Sequence, residues 1–256
     1  PRVLAVASQK GGAGKTSAVV NLAAALGELG RRVLVVDLDA QASASSYLGI
    51  RDGGRGLADL LMGNGNLADL VHNVDVSNVS AIPSSEWLTG AEKALARETV
   101  GAEVILRGHV ERLPRLWHYV IIDTPPSLGP LTVNALAAAG EVLVPVAAQY
   151  MALAGLFQLL KTVDMVKERL NPRLRVSGVL ACMVDARTRH SLDVVEELRK
   201  KYGDLVFRTV IRRNVRLEES PSFHKPITLY DPRSAGAEDF RALAAEVIAH
   251  ERRKQT

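Results

Sequence analysis

Cysteine is almost absent from this chain. Cys182 stands alone among 256 residues, which excludes an intrachain disulfide and any iron–sulfur or metal site drawing two thiolates from one chain. It sits in the apolar run Val179-Leu180-Ala181-Cys182-Met183, where a buried structural thiol is expected. Long apolar runs are missing too. No stretch holds the about 18 uninterrupted apolar residues that a bilayer crossing needs, and residues 1–9 carry no secretory pattern, so a cytoplasmic protein is expected. The histidines His72, His109 and His118 lack metal-ligand spacing, and structural or solvated roles are expected for each.

Excess charge of one sign is also small, at +4, but it is unevenly spread. Residues 1–160 carry 12 Lys and Arg against 14 Asp and Glu, whereas residues 161–256 carry 20 against 14. A basic C-terminal part suggests an anionic partner, nucleic acid or membrane; solvated helix faces are the alternative. What the chain has in quantity is apolar residues, 47% of the total. At this length that predicts a single α/β domain spanning residues 1–256 around a large core.

The organising stretch is residues 3–17. An apolar run, Val3-Leu4-Ala5-Val6-Ala7-Ser8, leads into Gln9-Lys10-Gly11-Gly12-Ala13-Gly14-Lys15-Thr16-Ser17 and then a helical pattern. Strand, glycine-rich turn and helix in that order let successive N–H groups converge on a phosphate chain at the positive end of the helix. Lys15 then reaches the β- and γ-phosphates and the Thr16 hydroxyl ligates a bridging Mg²⁺. Gln9 replaces the leading glycine of the general phosphate-loop pattern, and a second lysine, Lys10, opens the loop. The site predicted is one for a nucleoside triphosphate.

The helix after the loop runs through residues 18–26 and stops at Gly30. Residues 32–37 form a continuous apolar run, the mark of a strand buried on both faces. Its end, Asp37-Leu38-Asp39-Ala40-Gln41, puts two carboxylates at the sheet edge where open α/β sheets bind ligands. Residues 119–123 form another buried strand ending in Asp123, which can hold Mg²⁺ through water. Further strands are predicted near 78–82, 142–146, 176–184 and 205–211. Helices are predicted near 57–62, 89–112, 151–169, 189–201 and 235–252. This alternation predicts a mostly parallel twisted sheet with helices on both faces.

Several groups of residues carry a family likeness: Lys10 to Thr16, Val36-Asp37-Leu38-Asp39-Ala40-Gln41, Ile122-Asp123-Thr124-Pro125-Pro126, Asp185-Ala186-Arg187-Thr188, and Asn214-Val215-Arg216-Leu217 with Ser220-Pro221-Ser222 and Lys225-Pro226. With these the chain resembles the ParA/Soj branch of the deviant Walker A, MinD-like P-loop NTPases over nearly its full length. The resemblance implies ATP and Mg²⁺ as cofactors, bound by Lys10, Gly11, Gly12, Ala13, Gly14, Lys15, Thr16 and Ser17, with Thr16, Asp37, Asp39 and Asp123 around the metal. It implies that Lys10 crosses to the nucleotide of a second subunit, so that ATP joins a homodimer. Lys10, Lys15 and Asp39 then form the catalytic set, Asp39 positioning the attacking water. Met183, Asp185, Arg212 and Asn214 are implied around adenine. Ala40 and Arg212 stand where the family usually has proline.

For DNA the resemblance points to Arg187 and Arg216, with Arg189, Arg213, Lys225 and Arg233 as neighbours; surface ion pairs are the alternative use of these side chains. The implied activity is a slow ATPase of chromosome or plasmid segregation. It would be nucleoid-associated, bind double-stranded DNA without sequence preference and be stimulated by a ParB-type centromere-binding partner. Two other readings share the scaffold. A membrane-positioning ATPase needs a terminal amphipathic helix, and residues 245–256 offer little apolar surface. A metabolic ATP-dependent electron-transfer protein or amidating synthetase needs cysteines or a substrate pocket that the sequence does not display.

Overall fold

The buried apolar runs pair into one seven-stranded sheet. The computed structural model describes residues 1–98, 101–149 and 152–252. Its strands are β1 (Arg2–Val6), β2 (Val33–Asp37), β3 (His72–Asn73), β4 (Val79–Ile82), β5 (Tyr119–Asp123), β6 (Glu141–Ala147) and β7 (Arg175–Cys182), in the spatial order β3-β4-β2-β5-β1-β6-β7. All pair in parallel except β3 with β4. Between them run α1 (Lys15–Glu28), α2 (Ser43–Tyr47), α3 (Gly56–Leu61), α4 (Leu88–Leu95), α5 (Ile105–Glu111), α6 (Pro130–Ala138), α7 (Ala152–Arg169), α8 (Arg189–Tyr202), α9 (Val215–Glu219), α10 (Ile227–Tyr230) and α11 (Ala235–Arg252).

Side chains alternate across the sheet, so each central strand feeds two cores. Leu4, Val6, Val33, Val35, Tyr119 and Ile121 pack with α1 and α11, while Ala5, Leu34, Val36, Val120 and Ile122 pack with α6 and α7. That two-sided burial is why these strands read as unbroken apolar runs. Strand β1 lies between β5 and β6, and the loops following β1, β2 and β5 meet at the C-terminal edge of the sheet. α1 closes as expected: Gly30 takes a left-handed φ of 72°, and the Arg31 amide donates back to Leu26 O at 3.0 Å.

Two expectations need correction, one helix had not been predicted, and one predicted boundary lies outside the described residues. The helix predicted over 89–112 is two helices, α4 and α5, separated by Gly101 at φ 83°; Thr99 and Val100 lie outside the described residues. The helix α6, started by Pro130 in its first turn, had not been predicted. The helix expected from 151 is described from Ala152, Met151 lying outside the described residues. The strand predicted at 205–211 does not form; isolated bridges, Val179 with Val206 and Val184 with Arg212, join this segment to its neighbours, and the Ile211 amide donates to Ala181 O of β7 at 2.8 Å. The Arg208 and Thr209 amides donate instead to the Glu246 carboxylate of α11, at 2.8 and 3.0 Å, which takes them out of any ladder.

Candidate nucleotide site

The glycine-rich turn is built by backbone conformation. Gly12 and Gly14 hold φ values of 72° and 86°, and Gly14 forms the left-handed junction from which α1 starts. Crowding is not the reason for glycine at 14, since an added Cβ would make only ordinary contact with Cys182 at 3.6 Å. Lys15 is the first residue of α1 and is 7% exposed.

Asp123 and Asp39 lie near it, and Asp37 lies near both of them. Asp123, at the end of β5, is fully buried; its Oδ2 accepts from the Thr16 hydroxyl at 2.8 Å, and its Oδ1 has no hydrogen-bond partner among the described residues. Burial pushes this carboxyl up to about 8, Asp37 adding to the rise while Thr16 and Lys15 oppose it. Asp37 ends β2, and burial pushes it up to about 6 although its Oδ2 accepts from both the amide and the hydroxyl of Ser45, at 2.8 and 2.7 Å. Lys15 is lowered by its own burial, against the pull of Asp123 and Asp39. Burial thus favours the neutral form of these groups, and a cation bound beside the carboxyls would pull them back down.

Asp39 is only partly buried and lies on a tight loop. Its Oδ1 accepts from the Gln41 amide at 3.0 Å, and its carbonyl accepts from the Ala42 amide at 2.8 Å and the Ser84 hydroxyl at 2.5 Å. The loop is therefore tied down with Ala40 in place of proline. Lys10 does not join the cluster. It is exposed, and its Nζ donates to Gln149 Oε1 at 3.0 Å.

Beside the turn opens a cleft of about 230 Å³, whose lining includes Gly14, Ser17, Cys182, Met183, Arg212 and Asn214. Three of the four residues implied for adenine therefore share one cleft with the loop. Asp185 is not among its lining residues; it accepts from the Arg187 guanidinium at 2.8 Å, which holds its carboxyl down at about 2. Arg212 is itself engaged, pairing with Asp239 at 2.7 Å and Glu238 at 3.2 Å. Asn214 caps α9 by accepting from the Leu217 amide at 3.1 Å. Cys182 is the buried thiol expected, and burial pushes it up to about 12.

The six basic candidates are all exposed along the loop after β7 and the segment 212–233. The Arg213 amide donates to Val184 O at 3.0 Å, which brings these two stretches together. Three of the arginines carry local ion pairs: Arg187 with Asp185, Arg213 with Glu218 at 3.4 Å, and Arg216 with Glu219 at 3.1 Å and Asp231 at 3.8 Å. Arg189 opens α8, and Lys225 and Arg233 flank α10.

Sequence reading missed Ser45, which holds Asp37, and Asn21 and Tyr47, which join α1 to α2 through a hydrogen bond of 3.1 Å. The serine-rich start of α2 just after an aspartate pair was the available signal.

The AAA domain family model matches residues 1–176. The sporulation initiation inhibitor protein Soj of Bacillus subtilis is 47% identical over 251 residues, covering 97% of this chain and 99% of that protein. The chromosome-partitioning ATPase Soj of Thermus thermophilus is 49% identical over 248 residues, covering 97% and 96%. Among solved structures, cobyrinic acid a,c-diamide synthase from Mycobacterium smegmatis, with a bound ATP analogue and magnesium, superposes with a TM-score of 0.85 at 35% identity, covering 98% of this chain and 96% of that one. The cell division ATPase MinD of Pyrococcus furiosus superposes at 0.79 with 25% identity, covering 97% and 98%. A likeness to curated relatives that runs from end to end at nearly half identity leaves one assignment: the chain belongs to the Soj/ParA family of chromosome-partitioning ATPases.

Proposed function

We propose that this chain is an ATP-switched partition protein. Two copies sandwich ATP, the pair binds DNA without sequence preference, and slow hydrolysis, stimulated by a ParB-type partner, releases it. The observation that carries this reading is the contrast between the two loop lysines. Lys15 is buried beside Asp123, whereas Lys10 is exposed and rests on Gln149, available to phosphates that its own subunit does not hold.

Backbone amides of residues 11–16 and the Lys15 ammonium hold the triphosphate, and Asp39 orients the attacking water and takes up its proton. Asp37 and Asp123 sit behind them, with Asp123 Oδ1 left over for an added donor or cation. Among the described residues no three His, Cys, Asp or Glu side chains form a metal cage by themselves. That suits Mg²⁺, which keeps several waters and is held through one or two protein oxygens plus phosphate. The residues fit the ion: Thr16 would ligate it directly, with Asp123, Asp37 and Asp39 behind it, and it would neutralise charge developing on the phosphates. Met183, Arg212 and Asn214 would border the base, with Asp185 at a remove. Losing the γ-phosphate loses what Lys10 bridges, and the dimer loosens.

Arg187, Arg189, Arg213, Arg216, Lys225 and Arg233 would meet DNA phosphates, giving affinity that falls steeply with salt. Among the described residues no helix is long and apolar enough to cross a membrane. An ATP-dependent amidating reading is favoured by the 35% identity to the Mycobacterium smegmatis synthase; the higher identity to the Soj relatives argues for partition. The deciding experiment is DNA binding with ATP, ADP and no nucleotide across a salt series. Binding strongest with ATP and lost as salt rises is expected. A chain that stays monomeric when saturated with Mg²⁺ and a non-hydrolysable analogue would overturn the proposal.

A further inference from the structure

The short helix α2 touches both the carboxylate end of the nucleotide site and the segment that carries the basic side chains. On one side, the Ser45 amide and hydroxyl both donate to Asp37 Oδ2, and the Ser45 hydroxyl in turn accepts from the Ser84 amide at 2.9 Å. On the other, Tyr47, 2% exposed, brings its hydroxyl to 2.5 Å from Ser220 Oγ, directly after α9. Ser220 spends its single proton on Leu217 O at 3.1 Å, so the tyrosine is the donor between them. The Tyr47 hydroxyl accepts in return from Asn21 Nδ2 at 3.1 Å.

Asn21 ties this joint to its surroundings. Its Nδ2 also donates to Ser17 O at 2.8 Å, one residue past Thr16, and its Oδ1 accepts from the Ile227 amide of α10 at 2.7 Å. A second tether runs from Ser46 O to His224 Nδ1 at 2.6 Å, which requires the proton on that nitrogen and holds His224 in a left-handed conformation, φ 53°. Arg216, paired with Glu219, lies just before the first of these anchor points, Ser220, and Lys225 lies between His224 and Ile227. Leu217 and Glu218 of the same segment line the cleft beside the phosphate loop.

We propose that α2 is the strut that passes occupancy of the nucleotide site to the basic edge, with the Tyr47 hydroxyl as the positioning group at its far end. The inference rests on the partition reading and names how that site is regulated. A single helical turn moves as a unit, so a shift of Asp37 and Ser45 on nucleotide binding displaces Tyr47 and Ser46 together. The Tyr47–Ser220 bond is buried, so breaking it leaves a hydroxyl unsatisfied inside the protein. The displacement therefore reaches residues 217–225, where it re-aims Arg216 relative to Glu219. A coupling of this kind has two sites and one element that both of them bias.

Tyr47→Phe keeps the packed ring and removes the hydroxyl with its bonds to Ser220 and Asn21, and Ser220→Ala removes the joint from the other side together with the bond to Leu217 O. Amide hydrogen exchange over residues 217–230, with and without Mg²⁺ and a non-hydrolysable ATP analogue, reads the strut directly; the ratio of DNA affinities in the same two states reads its consequence. Wild type should slow exchange in this segment and tighten DNA binding on adding the analogue. Tyr47→Phe should bind the analogue within about twofold of wild type, yet lose the exchange response and about tenfold of the affinity ratio. Ser220→Ala should do the same, and the double variant no more than either. Single variants that keep the wild-type exchange response overturn the strut. So does a wild type whose segment 217–230 ignores the analogue. A wild type that shows the exchange response but binds no DNA supports the strut and overturns the DNA reading instead.

Discussion

Both ends of the sheet bury carboxylates, and they treat them in opposite ways. Glu141, the first residue of β6, has both oxygens occupied: Arg2 donates to Oε1 at 2.8 Å and Oε2 at 2.6 Å, and Arg175 adds a bond to Oε1 at 2.7 Å. Arg2 also donates to Val247 O at 2.6 Å, fastening α11 to the sheet edge. At the other end Asp123 keeps one oxygen without a partner, beside a partly desolvated lysine and a second carboxylate. Burial by itself marks nothing. The satisfied ion pair is architecture, whereas a buried carboxylate oxygen with no partner among the described residues belongs to the site proposed for the nucleotide.

Breaking the pair at the closed end should have the largest effect. Glu141→Ala leaves Arg2 buried without its anion and should cost about 3–5 kcal/mol in chemical denaturation, with ATP affinity unchanged. A matching loss of ATP affinity would end the distinction between the two ends. Lys15→Ala should do the reverse. It should cost about 100-fold in ATP affinity by calorimetry, the worth of a charge-assisted bond to phosphate, while the nucleotide-free protein keeps its stability.

Asp123→Asn tests the open end through pH. A carboxyl whose folded value lies at about 8, above the ordinary 3.8, keeps its proton in the folded chain where the unfolded chain has released it. Its stabilising contribution is complete below the unfolded value and is lost as pH rises through the folded one. Asp37, at about 6, contributes in the same sense over the lower part of that window. The melting temperature of the nucleotide-free, chelator-treated wild type should therefore fall from about pH 5 to about pH 8, and Asp123→Asn should flatten the decline. Parallel curves for the two proteins would show that Asp123 is ionised throughout.

The open end was readable from sequence and the joints behind it were not, for a physical reason. Gly12, Gly14, Lys15 and the aspartates closing β2 and β5 are consequences of local pattern, a strand running into a turn that needs positive φ. Ser45 and Tyr47 act through contacts that no local pattern reports, since Tyr47 meets Ser220 across 173 positions. The segment 205–211 misled in the same way: its apolar character suits a strand, but the Glu246 carboxylate that claims its amides comes from α11. Arg212 was read toward adenine through its place in a motif, while its guanidinium is shared with Asp239 and Glu238. The ion pairs on Arg187, Arg213 and Arg216 keep both uses of those side chains in play, because a surface pair is weak enough for phosphate to displace.

The smallest effect is expected from Arg175→Ala, and it separates the two arginines that share Glu141. The Arg175 side chain is 49% exposed against 10% for Arg2, so water screens its attraction and replaces it when it is cut away. Arg2 meanwhile continues to reach both Glu141 oxygens. The loss should be at most about 1 kcal/mol in denaturant titration, well below that of Glu141→Ala. If the two variants lost equal stability, Arg2 alone could not satisfy the buried glutamate. The closed end would then depend on both cations, as the open end depends on what it binds.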